Sequence, residues 1–214
     1  METRLRKGVV ERKTKETDIK AAWSLDGQGT AVLSTGVPFL EHMLTLFAVH
    51  GFFDLHIDAR GDLEVDAHHT VEDIGICLGM ALGQALGDRA GIRRYGFAVA
   101  PMDEARAEVS LDISGRPYLV YDVPPLHPTV GRFDTELAQE FFLAFCRHGG
   151  VTLHIGVPCG SNTHHILEAI FKAFGRALES AVSLDPRRMG MVPSSKGSRS
   201  EEHTSELQSP YVIS

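Results

Sequence analysis

A chain of 214 residues with 43% hydrophobic and 23% charged content carries enough apolar material for one ordinary domain or two small ones. Its net charge of −7, without a basic stripe, excludes a nucleic-acid surface, and no run is long and apolar enough to cross a bilayer. The start METRLRKGVVERK lacks the apolar core of a secretory signal, and Cys77, Cys146 and Cys159 show no CxxC spacing. They read as reduced thiols in a cytoplasmic protein, two of them in the core.

Along the chain, DIKAAWSL and TAVLS flank the turn signal DGQG and predict a hairpin. PFLEHMLTLFAVHG, residues 38–51, reads as a helix ending near glycine. DLHIDA and DLEVDA predict a strand pair across RGD. After His68 and His69 the period turns helical, with Val71, Ile74, Leu78, Leu82 and Ala85 on one stripe. ARAEVSLDI alternates in period two, and SGRP turns it into YLVYDV as a further hairpin. TELAQEFFLAFCRHGG predicts another helix, and after His164 and His165 a stripe of Leu167, Ile170, Phe174, Ala177 and Ala181 predicts the last. RSEEHTSELQS, Arg199 to Ser209, is what a common sequencing-adapter oligonucleotide gives on translation, so residues 198–214 read as a non-native tail. That tail sets Arg199 against Glu201, Glu202 and Glu206, which leaves the remaining chain nearer −5.

The elements repeat in order. HGFFDLHIDARGDLEVDAHHTVEDIG aligns with HGGVTLHIGVPCGSNTHHILEAIFKA, with two fewer residues in the second loop. His50 then matches His148, and His56 matches His154. No Gly/Ser/Pro linker separates the halves, placed at 1–90 and 91–197, so they are expected to pack as one catalytic unit. The fold class is α/β (α+β), an internally duplicated unit of a sheet with two helices.

The duplicated feature is His-His-x-x-Glu: His68, His69 and Glu72, then His164, His165 and Glu168. Positions i and i+4 share a helix face, so His68 pairs with Glu72 and His164 with Glu168, while His69 and His165 point about 100° round. Imidazole with carboxylate and no thiolate suits Mn²⁺, Fe²⁺ or Zn²⁺. For one copy, polar decoration of a helix N-terminus explains the motif as well; two copies in matching contexts favour metal. His42 stands 26 residues ahead of His68, and Glu140 stands 24 ahead of His164, so they align. Eight ligands result for two ions: His42, His68, His69, Glu72, Glu140, His164, His165 and Glu168. Four per ion leave open positions for chemistry.

TKET, PFLEHML, DAHHTVEDIG, GIRRYG, PMDEA, LDISGRPYL, NTHHILEAIFKAFGRAL and PSSKG occur in the order that characterises the imidazoleglycerol-phosphate dehydratase family, and the chain resembles it from Arg4 to Gly197. The resemblance implies a duplicated fold of the ribosomal protein S5 domain 2 type. It implies two Mn²⁺ per active site and a homo-oligomer of twenty-four subunits with sites at subunit contacts. Some members carry His where this chain has Glu140. The implied reaction dehydrates D-erythro-imidazole glycerol phosphate to imidazole acetol phosphate in histidine biosynthesis. The departing hydroxyl is unactivated, so an imidazolate would expel it through a diazafulvene-like intermediate. A base would then take the C2 proton.

By the same resemblance Glu16 is the candidate base, and His69 and His165 belong to the catalytic set. His42, His50 and His68 meet substrate. Arg94, Arg116, Lys172 and Lys196 bind its phosphate, with Ser194 and Ser195 as hydroxyl donors. Lys172 has a competing role as an i,i+4 partner of Glu168. No Walker or dinucleotide fingerprint is present, so the partner is a small phosphate ester without a nucleotide. A dinuclear hydrolase is disfavoured by the absence of HExxH and of an Asp-rich dimetal set. A metal-storage protein would not need the converging cations.

Overall fold

The computed structural model describes residues 6–191. The tail, with Ser194, Ser195 and Lys196, lies outside them. Strand β1 (Lys7–Lys13) forms a hairpin with β2 (Thr17–Ser24), Lys7 opposite Ser24 and Lys13 opposite Asp18. Then come β3 (Ala31–Ser34), α1 (Pro38–Gly51), β4 (Asp54–Gly61) and α2 (His68–Leu86). The second pass runs β5 (Tyr95–Met102), β6 (Ala105–Asp112) and β7 (Tyr118–Asp122). A small ribbon of β8 (Thr129–Val130) and β9 (Phe133–Asp134) precedes α3 (Leu137–Gly149), β10 (Thr152–Cys159) and α4 (Thr163–Val182).

The two sheets have orders β1-β2-β4-β3 and β5-β6-β10-β7, with the last pair parallel in each. This corrects three local expectations. β2 and β3 are not a hairpin, because β4 inserts between them, antiparallel to β2 and parallel to β3. β6 and β7 are likewise separated by β10. DLEVDA is not a strand. Leu63 and Val65 are exposed there, and the segment is a turn leading into α2. The two hairpin misreadings share one cause: a turn signal fixes where the chain bends, while a strand arriving later in the chain can pair between the two that the turn joins. Strands β1 and β5 carry no signal that sequence reading used.

Both helical stripes are buried as their period predicts, from Val71 to Ala85 on α2 and from Leu167 to Ala181 on α4. Helix α2 lies on β1 and β2, and α4 lies on β5 and β6. The helix layers meet crosswise between the repeats, α1 on α4 and α2 on α3. Trp23 and Phe47 from the first repeat join Phe145 and Phe174 from the second in one aromatic core, with Phe47 stacked on Phe174 at 4.9 Å. Cys77 and Cys146 are buried, and burial pushes their thiols up to about 11 and about 12. Cys159 is exposed.

Two glycines set the distance between helix and sheet. A Cβ at Gly8 would lie 2.0 Å from the Ala81 carbonyl oxygen, and one at Gly96 would lie 1.8 Å from that of Ala177. Ala81 and Ala177 each stand thirteen residues beyond the first histidine of their motif, so the same contact recurs in both repeats. Gly96→Ala should cost about 1–3 kcal/mol, the usual penalty of overpacking. Gly83→Ala, with open space around it on α2, should gain roughly 0.5–1 kcal/mol through helix propensity. Denaturant midpoints of the two variants should therefore move in opposite directions.

Candidate functional site

Helix α1 starts with Pro38 in its first turn, where a missing N–H costs nothing. Ahead of it, Glu41 accepts from the backbone N–H and the hydroxyl of Thr35. Asn162 caps α4, accepting from the N–H groups of His164 and His165 at 2.9 and 3.3 Å. These local bonds fix each helix start, and the packing of α1 on α4 sets the two side by side. His42 Nε2 then lies 2.9 Å from Glu168 Oε1, and His164 Nε2 lies 3.0 Å from the same oxygen. Lys172 Nζ donates to Glu168 Oε2 at 2.7 Å, so the i,i+4 pairing of these two forms.

His42, His164 and Glu168 offer ligand atoms within 4.8 Å of one another, the one such group of three among the described residues. Burial works against ionisation of Glu168, yet Lys172, His42 and His164 hold its carboxyl down at about 2. The cluster thus presents two imidazoles and a permanent carboxylate, a donor set suited to a divalent ion. Phe39 packs edge-on against His164 and closes one side with apolar surface.

The matching half-site is looser. His68 Nε2 and Glu72 Oε2 are 3.8 Å apart. Glu140, on α3, adjoins Phe141, whose carbonyl lies so close to Gly75 that a methyl group there would overlap it. That places Glu140 at the same end of α2 as Glu72, without drawing the three within 4.8 Å.

The second histidine of each motif turns elsewhere. His69 Nδ1 lies 2.9 Å from Asp62 Oδ2, and His165 Nδ1 lies 2.8 Å from Glu104 Oε2. Each contact raises the pKa of its histidine. It also holds Glu104 down at about 2, helped by backbone N–H groups such as that of Asn162. Glu16 lies in the β1–β2 turn, in an open groove shared with Arg60 and Asp62. Thr14 Oγ1 accepts from the N–H of Glu16 and of Thr17, and Thr17 donates to Asp73 of α2, which Arg12 also meets. The turn is thereby pinned to the helix that carries His69, and the Glu16 charge helps raise the His69 pKa.

The proposed phosphate cations fall into separate places. Arg94 donates to both oxygens of Asp112, at 2.6 and 3.0 Å, and Arg116 Nη2 reaches Asp112 Oδ2 at 3.8 Å. Arg94 is also bonded through its N–H to Ala181, thirteen residues along α4 from Glu168. At 1.5 Å per residue this is about 20 Å from the Glu168 end of the helix. Lys172 stands at the cluster instead. His50, at the end of α1, is lowered by burial and by Lys172 and Arg176 nearby. Sequence reading missed Asp62, Glu104, Asp73 and Arg12. Asp62 and Glu104 lie in turns, Arg12 on β1 and Asp73 on α2. Glu104 and Asp73 stood inside the quoted PMDEA and DAHHTVEDIG, but nothing local shows what either meets, and only Asp62 is near its partner in sequence.

The family profile described as imidazoleglycerol-phosphate dehydratase matches residues 35–178. An imidazoleglycerol-phosphate dehydratase of Syntrophobacter fumaroxidans is 68% identical over 192 residues, 90% of this chain and 97% of that protein. One of Pseudomonas fluorescens is 57% identical over 192 residues, again 90% of this chain and 98% of the relative. The crystal structure of the Staphylococcus aureus enzyme superposes with a TM-score of 0.76 at 44% identity, covering 84% of this chain and 99% of the other. That of the Pyrococcus furiosus enzyme in complex with (S)-C348 gives 0.76 at 38%, covering 88% and 99%.

The His165–Glu104 contact has a pH signature. The raised His165 pKa contributes stability that is complete below 6.5 and is lost as pH climbs through the raised value. The depressed Glu104 pKa contributes stability present above 4.5 that is lost as pH falls toward about 2. In metal-free protein, Glu104→Gln should lower the melting temperature most between about pH 4.5 and 6.5. The gap should narrow on both sides in thermal scans across pH.

Proposed function

The chain belongs to the imidazoleglycerol-phosphate dehydratase family, hydro-lyases of histidine biosynthesis, and from that premise we propose a dehydratase whose site uses two divalent ions, Mn²⁺ by preference, and is shared between subunits. The observation that carries it is the His42–His164–Glu168 cluster, which joins ligands from both repeats at one point. The repeats, 1–90 and 91–197, act as one catalytic unit because neither holds that cluster alone. The set His42, His164 and Glu168 would hold one ion. The set His68, Glu72 and Glu140 would hold the other, with His69 and His165 completing sites across contacts. When bound, such an ion supplies Lewis-acid polarisation of nitrogen and oxygen.

The chain's own groups do the rest. Glu168 stays ionised at neutral pH and offers its lone pairs without competition from a proton. His42, His68 and His50 line the substrate side. Glu16 removes the C2 proton once the hydroxyl has left through a diazafulvene-like intermediate, and the enol becomes the ketone of imidazole acetol phosphate. Arg94, Arg116, Lys172, Ser194, Ser195 and Lys196 form the phosphate set. The roughly 20 Å between Arg94 and Glu168 along α4 favours a site in which Arg94 and Arg116 come from a different chain than the metal ligands, with Lys172 at the cluster itself. A twenty-four-subunit shell supplies such contacts. No helix of the described residues is long and apolar enough to cross a membrane, and two buried thiols suit a reducing cytoplasm.

Metal assay beside turnover of imidazole glycerol phosphate tests the reading. Two ions per chain are expected, with activity lost on exhaustive chelation and restored best by Mn²⁺; full activity in chelated, folded protein would overturn it. His69→Ala and His165→Ala should bind less metal and sediment as smaller oligomers. Glu16→Gln should keep metal content while kcat falls by roughly two to four powers of ten. Turnover within a few-fold of the parent would remove Glu16 from the mechanism.

A further inference from the structure

The repeats place a glutamate at the same point of matching hairpins. Gly8 and Gly96 make equivalent contacts with Ala81 and Ala177, and eight residues beyond each stands Glu16 or Glu104. Hairpin β1–β2 carries the first in its turn, and β5–β6 carries the second. The two carboxylates are nevertheless engaged differently. Glu104 is fully committed: Oε2 meets His165 Nδ1, and Oε1 accepts from the N–H groups of Ser161 and Asn162. Among the described residues, the Glu16 carboxylate accepts no hydrogen bond. The Nδ1 of His69, which Glu16 would serve by analogy, is taken by Asp62 from the loop after β4.

Among the described residues Asp62 has no other side-chain partner. Its Oδ1 is buried and accepts no hydrogen bond among the described residues, so the half-buried carboxylate is committed to one contact. In the second repeat, whose loop is two residues shorter, the corresponding stretch is Cys159 and Gly160, which has no carboxylate to offer.

We propose that Asp62 is a positioning residue: it fixes His69 with Nδ1 as donor and Nε2 as the free ligand atom, and so releases Glu16 from the clamping task that Glu104 performs for His165. An imidazole that donates through one nitrogen has its lone pair on the other, and an anionic acceptor makes that nitrogen the better ligand. Equivalent positions of the two repeats thus hold a structural carboxylate in one and an unengaged one in the other. The proposal rests on His69 serving as a metal ligand.

The test is Mn²⁺ affinity by equilibrium dialysis of the whole chain at fixed pH, beside thermal unfolding of the metal-free protein. Asp62→Ala should weaken affinity about 10- to 100-fold while leaving the unfolding temperature close to that of the parent. Asp62→Asn, which keeps an oxygen for Nδ1–H, should recover affinity to within about tenfold of the parent. Glu16→Gln should leave affinity unchanged. Normal affinity in Asp62→Ala, or an Asn variant no better than the Ala variant, overturns the clamp. A loss in Glu16→Gln matching that of Asp62→Ala overturns the division of labour. His69→Ala separates the premises: if it weakens affinity and Asp62→Ala does not, the clamp alone fails, and if His69→Ala binds metal normally, the ligand reading falls and the clamp with it.

Discussion

The contact on which the site depends is the parallel packing of α1 against α4, set by glycine. At Gly175 a Cβ would lie 2.5 Å from the carbonyl oxygen of Phe47, and at Gly51 it would lie 2.9 Å from that of Gly175. With no side chain at either point, the two backbones meet directly, and Phe47 stacks on Phe174 beside them. Two turns back toward the helix starts, the same parallel course brings His42 opposite Glu168 and Phe39 opposite His164. A larger residue at the crossing would spread the helices and pull His42 away from its partners. The pair α2 and α3 repeats the arrangement, with Gly75 against Phe141 and Gly79 against Phe145. Packing and ligand geometry are thus one constraint.

Electrostatics then distributes roles among the histidines. The first of each motif faces a carboxylate one helical turn on, while the second faces a carboxylate supplied by a loop. At Glu168 one lysine and two imidazoles outweigh burial, so the carboxyl remains ionised and able to serve as a ligand. At His69 and His165 the loop carboxylates fix which nitrogen carries the proton. Those loops come from different places in the two repeats, which makes the halves equivalent in fold and unequal in chemistry.

The cations show a comparable division. Arg94 sits at the far end of α4 from the histidines, and Asp112 holds its guanidinium at both oxygens. A helix of this length is a ruler: what lies at its two ends in one chain cannot serve one small substrate. In the proposed shared site, association of chains would resolve the difficulty physically, since contacts between copies can bring one chain's helix start to another's helix end.

Much of this was legible in the sequence, because helix faces and repeats are local properties. Period 3.6 after each histidine pair fixed the buried stripes, the i,i+4 spacing put His164 on the face of Glu168, and the ordered matches exposed the duplication. His42 could be aligned with Glu140 by counting alone. Strand neighbours could not be read the same way. β4 and β10 enter between strands already laid down, and backbone hydrogen bonding, which decides such pairing, carries little residue identity. The partners Asp62 and Glu104 were hidden for a related reason. A carboxylate in a turn looks like any solvated acid until folding brings an imidazole within 3 Å of it. The sequence determined which side chains could carry the chemistry; the tertiary structure decided which of them meet, because distance in space is set by the packing of helices and sheets and not by separation along the chain.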